Sequence, residues 1–165
     1  MEAAIWGFVG TLVGALASIG TTLLSSRQAS KLQASASSLA RAESHRAFQR
    51  DTLLELQEAL HDLMRLIAQG NIEDRLAFRN TGVWGKQPLT AEVNEGQRLA
   101  HRRFAILVQR VADDTLRTDL KALHQSLSGA SLASSADQAE FKLRTSSEQA
   151  THTLEHIGNA LRAQY

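Results

Sequence analysis

Ala3-Ala-Ile-Trp6-Gly7-Phe-Val-Gly10-Thr11-Leu-Val-Gly14-Ala-Leu-Ala-Ser18-Ile-Gly-Thr21-Thr22-Leu-Leu24 contains no charged residue, and none occurs anywhere between Glu2 and Arg27. As a helix rising about 1.5 Å per residue, this run is long enough to cross a hydrocarbon core of roughly 30 Å. The reading adopted is a single transmembrane helix. Two others compete with it. Ala15-Leu16-Ala17 resembles a small-x-small cleavage site, but a signal peptide opens with positive charge and this chain opens Met1-Glu2. The third reading is the buried helix of a soluble bundle.

At 100° per residue, Gly7, Gly10, Thr11, Gly14, Ser18, Thr21, Thr22 and Ser25 fall on one side of the helix, while Ile5, Phe8, Leu12, Leu16, Ile19 and Leu23 fall on the other. Gly10-x-x-x-Gly14 continues through Ser18 and Thr22 as a small-residue ridge. Such a ridge lets two helix backbones approach closely and lets hydroxyls bond across the contact. The face therefore calls for another copy of the chain or for the water of a pore. Arg27, Lys31, Arg41, Arg46 and Arg50 trail the span and nothing positive precedes it, which orients the chain with its N-terminus outside and its remainder cytoplasmic, at a cell inner membrane. Trp6 suits an interfacial anchor.

No Gly or Pro occurs between Gly20 and Gly70, so nothing obliges the helix to stop at the membrane surface. Residues 25–44 are rich in Ser, Ala and Gln, with Leu32 and Leu39 the only large apolar side chains. They read as a stalk, helical when neighbouring copies pack beside it. Leu53, Leu56, Leu60, Leu63 and Ile67 then repeat at spacings of three and four, and Leu32 and Leu39 extend that register backwards. Gly70-Asn71 is a stop signal, followed by a short helical piece with Leu76 and Phe78 and by the loop Asn80 to Pro88.

Thr90 can cap a helix to about Asp113 that buries Val93, Leu99, Ala100, Phe104, Leu107, Val108 and Val111. A segment from Thr115 ends at Gly129, with Leu116, Leu120, Leu123 and Leu127 as its apolar stripe. The last helix opens at Ser134 or Ser135 and uses Phe141, Leu143, Leu154, Ile157 and Leu161. The expected class is all-α: a transmembrane helix continuing into the long helix of an antiparallel bundle of about four helices. The expected divisions are a transmembrane anchor (1–26), a helical stalk (27–50) and a cytoplasmic bundle (51–165).

Composition agrees with an all-α chain. Aromatic residues are few, and Leu, Ala, Arg, Glu and Gln, which lose little on entering a helix, are abundant. With no cysteine, disulfides, thiolate metal sites and Cys nucleophiles are excluded. A net charge of +1 gives no general attraction to nucleic acid.

Four constellations bear on chemistry. His152-Thr-Leu-Glu155-His156 has the letters of the HxxEH zinc motif, but only nine residues follow it and none is a His or carboxylate to serve as third ligand. Glu58-Ala-Leu-His61 has the ExxH spacing of di-iron bundles, without the second copy such sites need. Arg117 and His124 fit loosely the spaced Arg and His of a helical ribonuclease type, where such groups handle phosphate charge and proton transfer. Chance pairing of six His with 14 Arg is the stronger explanation of that match. Arg98, His101, Arg102, Arg103 and Arg110 would suit phosphate or anionic headgroups if they shared a surface, against the plainer reading of a solvated, charge-balanced face. Val83-Trp84 reads as a hydrophobic plug. No metal site, no cofactor and no enzyme chemistry is expected.

The layout from Trp6-Gly-Phe-Val-Gly-Thr-Leu-Val-Gly-Ala through Arg27-Gln28 to Arg46-Ala-Phe-Gln-Arg50 and the leucine repeat resembles small bacterial membrane proteins with an N-terminal anchor and a helical bundle. It is similar to the membrane accessory protein of type VI-B CRISPR loci. That resemblance implies a HEPN-like bundle, assembly into a membrane pore, and a part in anti-phage defence. The expected function is a homo-oligomeric membrane effector. A membrane-tethered scaffold or sensor that binds a protein partner is one alternative, and a tethered HEPN-like ribonuclease using Arg117 and His124 is another.

Overall fold

The computed structural model describes residues 2–85 and 87–165; within 2–27 the side chains described are those of Gly14, Ser18, Ser25 and Ser26. Four helices follow in order: α1 (Glu2–Thr81), α2 (Ala91–Val108), α3 (Asp114–Ser131) and α4 (Ala136–Arg162). Among the described residues there is no strand, and the chain is all-α. The backbone divides into two compact units, residues 1–45 and residues 46–165.

In the first unit the described residues all belong to α1. Among the described residues no helix is long and apolar enough to cross a membrane. Most of the span expected over residues 3–24 lies outside the described side chains, as do the ridge positions Gly7, Gly10, Thr11, Thr21 and Thr22. Gly14, Ser18 and Ser25 are exposed. From Gln28 to His45 every residue is exposed, including Leu32 (64%) and Leu39 (71%). Ser30, Ser35, Ser37 and Ser38 turn their hydroxyls back onto carbonyls of their own helix. Such back-bonding adds no tertiary contact and slightly weakens a helix.

Residues 46–165 hold the core. The leucine repeat behaves as its spacing predicts: Leu53, Leu56, Leu60, Leu63 and Ile67 are each 2% exposed or less. Facing them are Phe104, Leu107 and Val108 of α2, Leu116, Leu120, Leu123 and Leu127 of α3, and Ala150 and Ile157 of α4. Full burial of each such Leu, Ile or Phe is worth about 1.5–3 kcal/mol. The pairs that bridge the helices set the direction. Gln49 meets Arg110 and Gln97 meets Leu66 between α1 and the α2 region, while Arg50 meets Gln164 and Arg75 meets Glu140 between α1 and α4. In both sets one residue number rises as the other falls, so these neighbours run antiparallel.

α3 and α4 pack closely against each other. Ser126 and Ser146 share a hydrogen bond at 2.8 Å, and Ala139, Ser146, Ala150 and Thr153 form the buried face of α4. Small side chains permit that approach. Consequently Phe141, which the apolar pattern assigns to the core, is 60% exposed, with the Arg144 guanidinium over its ring.

Three further expectations change. α1 does not stop at Gly70-Asn71; it continues to Thr81, and Gly82, at φ +70°, begins the loop. Gly70 serves close packing instead: a Cβ there would collide with the Gln97 amide nitrogen, which donates to the Leu66 carbonyl. α3 likewise passes through Gly129 to Ser131. On α2, Leu99 is 49% exposed, because the buried stripe runs Val93, Gln97, Ala100, Phe104, Leu107, Val108 and leaves residue 99 outside it.

Candidate functional site

α2 and α3 form a hairpin whose corner is tied from three sides. Asp113 caps α3 by accepting the Leu116 N–H at 2.9 Å. Gln49 spans the corner, donating to the Arg110 carbonyl (3.1 Å) and accepting the Ala112 N–H (3.0 Å). Arg117 donates to the Val111 and Ala112 carbonyls and pairs with Asp114. At the far end of α2, Thr90 accepts the Val93 N–H while Glu73 holds both the N–H and the hydroxyl of Thr90.

This bracing sets His101 of α2 against His124 of α3, with His101 Nδ1 2.9 Å from His124 Nε2. One ring must donate and the other accept, so at least one is neutral on the facing nitrogen. Both are half-buried. Burial lowers both pKa values from the ordinary 6.5, and for His101 the neighbouring His124 adds to the fall. Phe104 closes the inner side, its ring centroid 5.5 Å from that of His124. The rings open onto a groove of about 390 Å³ with Gln97, Arg98, Ser128 and Leu132 on its walls. Arg98 is held by both oxygens of Glu95, at 2.6 and 2.7 Å. The groove therefore offers a hydrogen-bonded imidazole pair whose burial disfavours the charged forms, among polar side chains with little net charge.

α2 carries a second groove, of about 460 Å³, in which Leu99, Ile106 and Leu107 meet Arg102, Arg103 and Arg110, with Glu55 on the α1 side. The basic cluster expected on α2 is thus divided. Arg98 and His101 belong to the histidine groove, and the other three arginines to this one.

The remaining candidates separate. Arg117 and His124 lie two turns apart on α3, about 10 Å along its axis. The Arg117 guanidinium is occupied at the corner, so the two do not share a cavity. In His152-Thr-Leu-Glu155-His156, His156 bonds Asp119 across to α3 at 3.0 Å, while His152 is exposed. Glu58 and His61 are exposed, and Glu58 faces Arg103 at 3.6 Å. Among the described residues no three metal-ligating side chains converge. Trp84 packs edge-on against Phe78 and donates to the Ala133 carbonyl at 2.9 Å, whereas Val83 is 51% exposed.

No family model, curated protein or solved structure matches the chain. The histidine pair was open to sequence reasoning through one signal: His101 and His124 stand eleven and twelve residues either side of Ala112, near-mirror positions about the corner of a helical hairpin.

Proposed function

We propose that the protein is a homo-oligomeric membrane effector. Copies anchored by residues 3–24 associate through the Gly10, Gly14, Ser18 and Thr22 ridge and through the stalk, and the cytoplasmic bundle governs assembly or membrane permeability. The likeness in layout to the CRISPR accessory protein extends this reading to a pore serving anti-phage defence.

One observation carries the proposal. Residues 28–45 are helical with every side chain exposed, and Leu32 and Leu39 stand bare at a seven-residue interval. Tertiary packing supplies most helical stability in proteins. A Ser-rich segment that finds no packing within its own unit is best supplied by another copy, and leucines seven apart suit a helix-to-helix seam.

The chain has no cysteine, so a single introduced one reports its neighbours without ambiguity. In membranes under mild oxidation, Leu39→Cys should form a covalent dimer in high yield, while Ala34→Cys, on the opposite side of the same helix, should not. Equal yields at both positions, or none at either, would remove the seam. Ion leakage from liposomes holding the full chain separates a pore from a partner-binding scaffold.

A further inference from the structure

We infer that His152 and His156 of α4 form a two-histidine chelate for a divalent transition-metal ion of the zinc, nickel or copper type, with Asp119 of α3 as its positioning residue. The sequence offers no further ligand after His156; the fold instead brings a carboxylate to the pair from α3, which precedes it in the chain. Four residues apart on a helix, the two imidazoles stand on one face, about 6 Å apart at Cβ. Helical side chains lean toward the N-terminus, so the His156 ring reaches back over the turn that carries His152. Two histidines at this spacing can hold one metal ion between them.

Asp119 Oδ2 lies 3.0 Å from His156 Nδ1. A carboxylate only accepts, so Nδ1 carries the hydrogen, and in the neutral ring Nε2 keeps its lone pair for a metal. A carboxylate behind a histidine in this way fixes the ring's orientation and raises its basicity as a ligand. Asp119 and His152 also line one groove of about 180 Å³, with Gln149 and Thr153 beside them. At roughly 30 Å³ per water the groove has room for an ion and several waters. His152 is exposed, which leaves the site open to solvent. Among the described residues no group of three His, Asp or Glu converges, so water completes the coordination shell. Imidazole nitrogens select zinc, nickel and copper, whereas magnesium and calcium take oxygen ligands. The other histidine pair is less suited to a metal, because the facing nitrogens of His101 and His124 are already bonded to each other.

The test uses the full chain in detergent, stripped with a chelator and held at about pH 7.5, above the ordinary imidazole value. Zinc ions alone should raise the thermal midpoint, since an ion that binds the folded chain stabilises it, and magnesium ions should not. His152→Gln, at an exposed position that the fold does not need, should abolish the rise, and so should His156→Gln. His101→Leu with His124→Leu should leave it intact. Copper ions bound to the wild type should show two nitrogen ligands by electron paramagnetic resonance, and one in His152→Gln. Asp119→Asn should keep both nitrogens while weakening zinc binding about 10- to 100-fold, the mark of a positioning residue. No rise with zinc, an equal rise with magnesium, or a rise that survives His152→Gln in the folded protein overturns the chelate. Zinc affinity unchanged in Asp119→Asn overturns the role given to the carboxylate.

Discussion

Residues 28–45 and residues 46–165 are both helical, yet one leucine register meets opposite fates in them. Leu53, Leu56 and Leu60 are sealed within the bundle, whereas Leu32 and Leu39, in the same repeat, are 64% and 71% exposed. Periodicity identifies a face that needs covering; it does not say which chain supplies the cover. In residues 46–165 the cover comes from α2, α3 and α4. In residues 28–45 nothing in that unit provides it, and this asymmetry is the physical basis for proposing self-association.

The sharpest way to break the comparison is to remove a large side chain from each kind of site. Phe104, wholly buried against the α3 and α4 core, should cost about 3–5 kcal/mol as Phe104→Ala, read from urea unfolding of the bundle. Leu39→Ala should change that unfolding by less than about 0.5 kcal/mol, as surface substitutions do, and act instead on assembly. Equal costs at the two sites would mean that the stalk leucine is buried by the chain's own bundle.

Gly70 sharpens the picture within the bundle. Gly70→Ala would favour helix by about 1 kcal/mol if the site were open. Here the added Cβ must displace the Gln97 amide from the Leu66 carbonyl and press on Leu89, so a net loss of roughly 1 kcal/mol is expected. A stabilised Gly70→Ala protein would show that α1 and α2 are not in close contact there.

A smaller effect should come from acid. Because the fold lowers the pKa of His101 and His124, it prefers their neutral forms; their contribution is complete above the ordinary value of 6.5 and is lost as pH falls through the lowered values. The thermal midpoint should therefore drop on acidification below about pH 6.5. His101→Leu with His124→Leu should flatten that part of the curve. A midpoint that falls equally in wild type and double variant would assign the acid sensitivity to other groups.

Much of the bundle was legible because its signals are local. The leucine repeat of α1, the Leu116 to Leu127 stripe and the Thr90 and Ser135 caps follow from spacing and from hydroxyls that can reach a nearby N–H. The features that escaped depend on a partner element. Phe141 is apolar yet exposed because α4 turns Ala139, Ser146 and Ala150 toward α3, and only the closeness of that pair makes small residues the better core. Gly70 has the look of a helix stop, and only the position of Gln97 explains it. Spacing along the chain pairs His124 with Arg117 on its own helix, whereas its partner in the fold is His101 on the neighbouring one.

Self-association is the central claim, and the mass of the detergent-extracted full chain tests it most directly. Light scattering with the detergent contribution subtracted should be run on wild type, on Gly10→Leu with Gly14→Leu, and on Leu32→Glu with Leu39→Glu. The expected result is a wild-type oligomer that each double variant reduces in mass while the bundle stays folded. A monodisperse wild-type monomer would contradict it and leave the protein as a tether for some other partner.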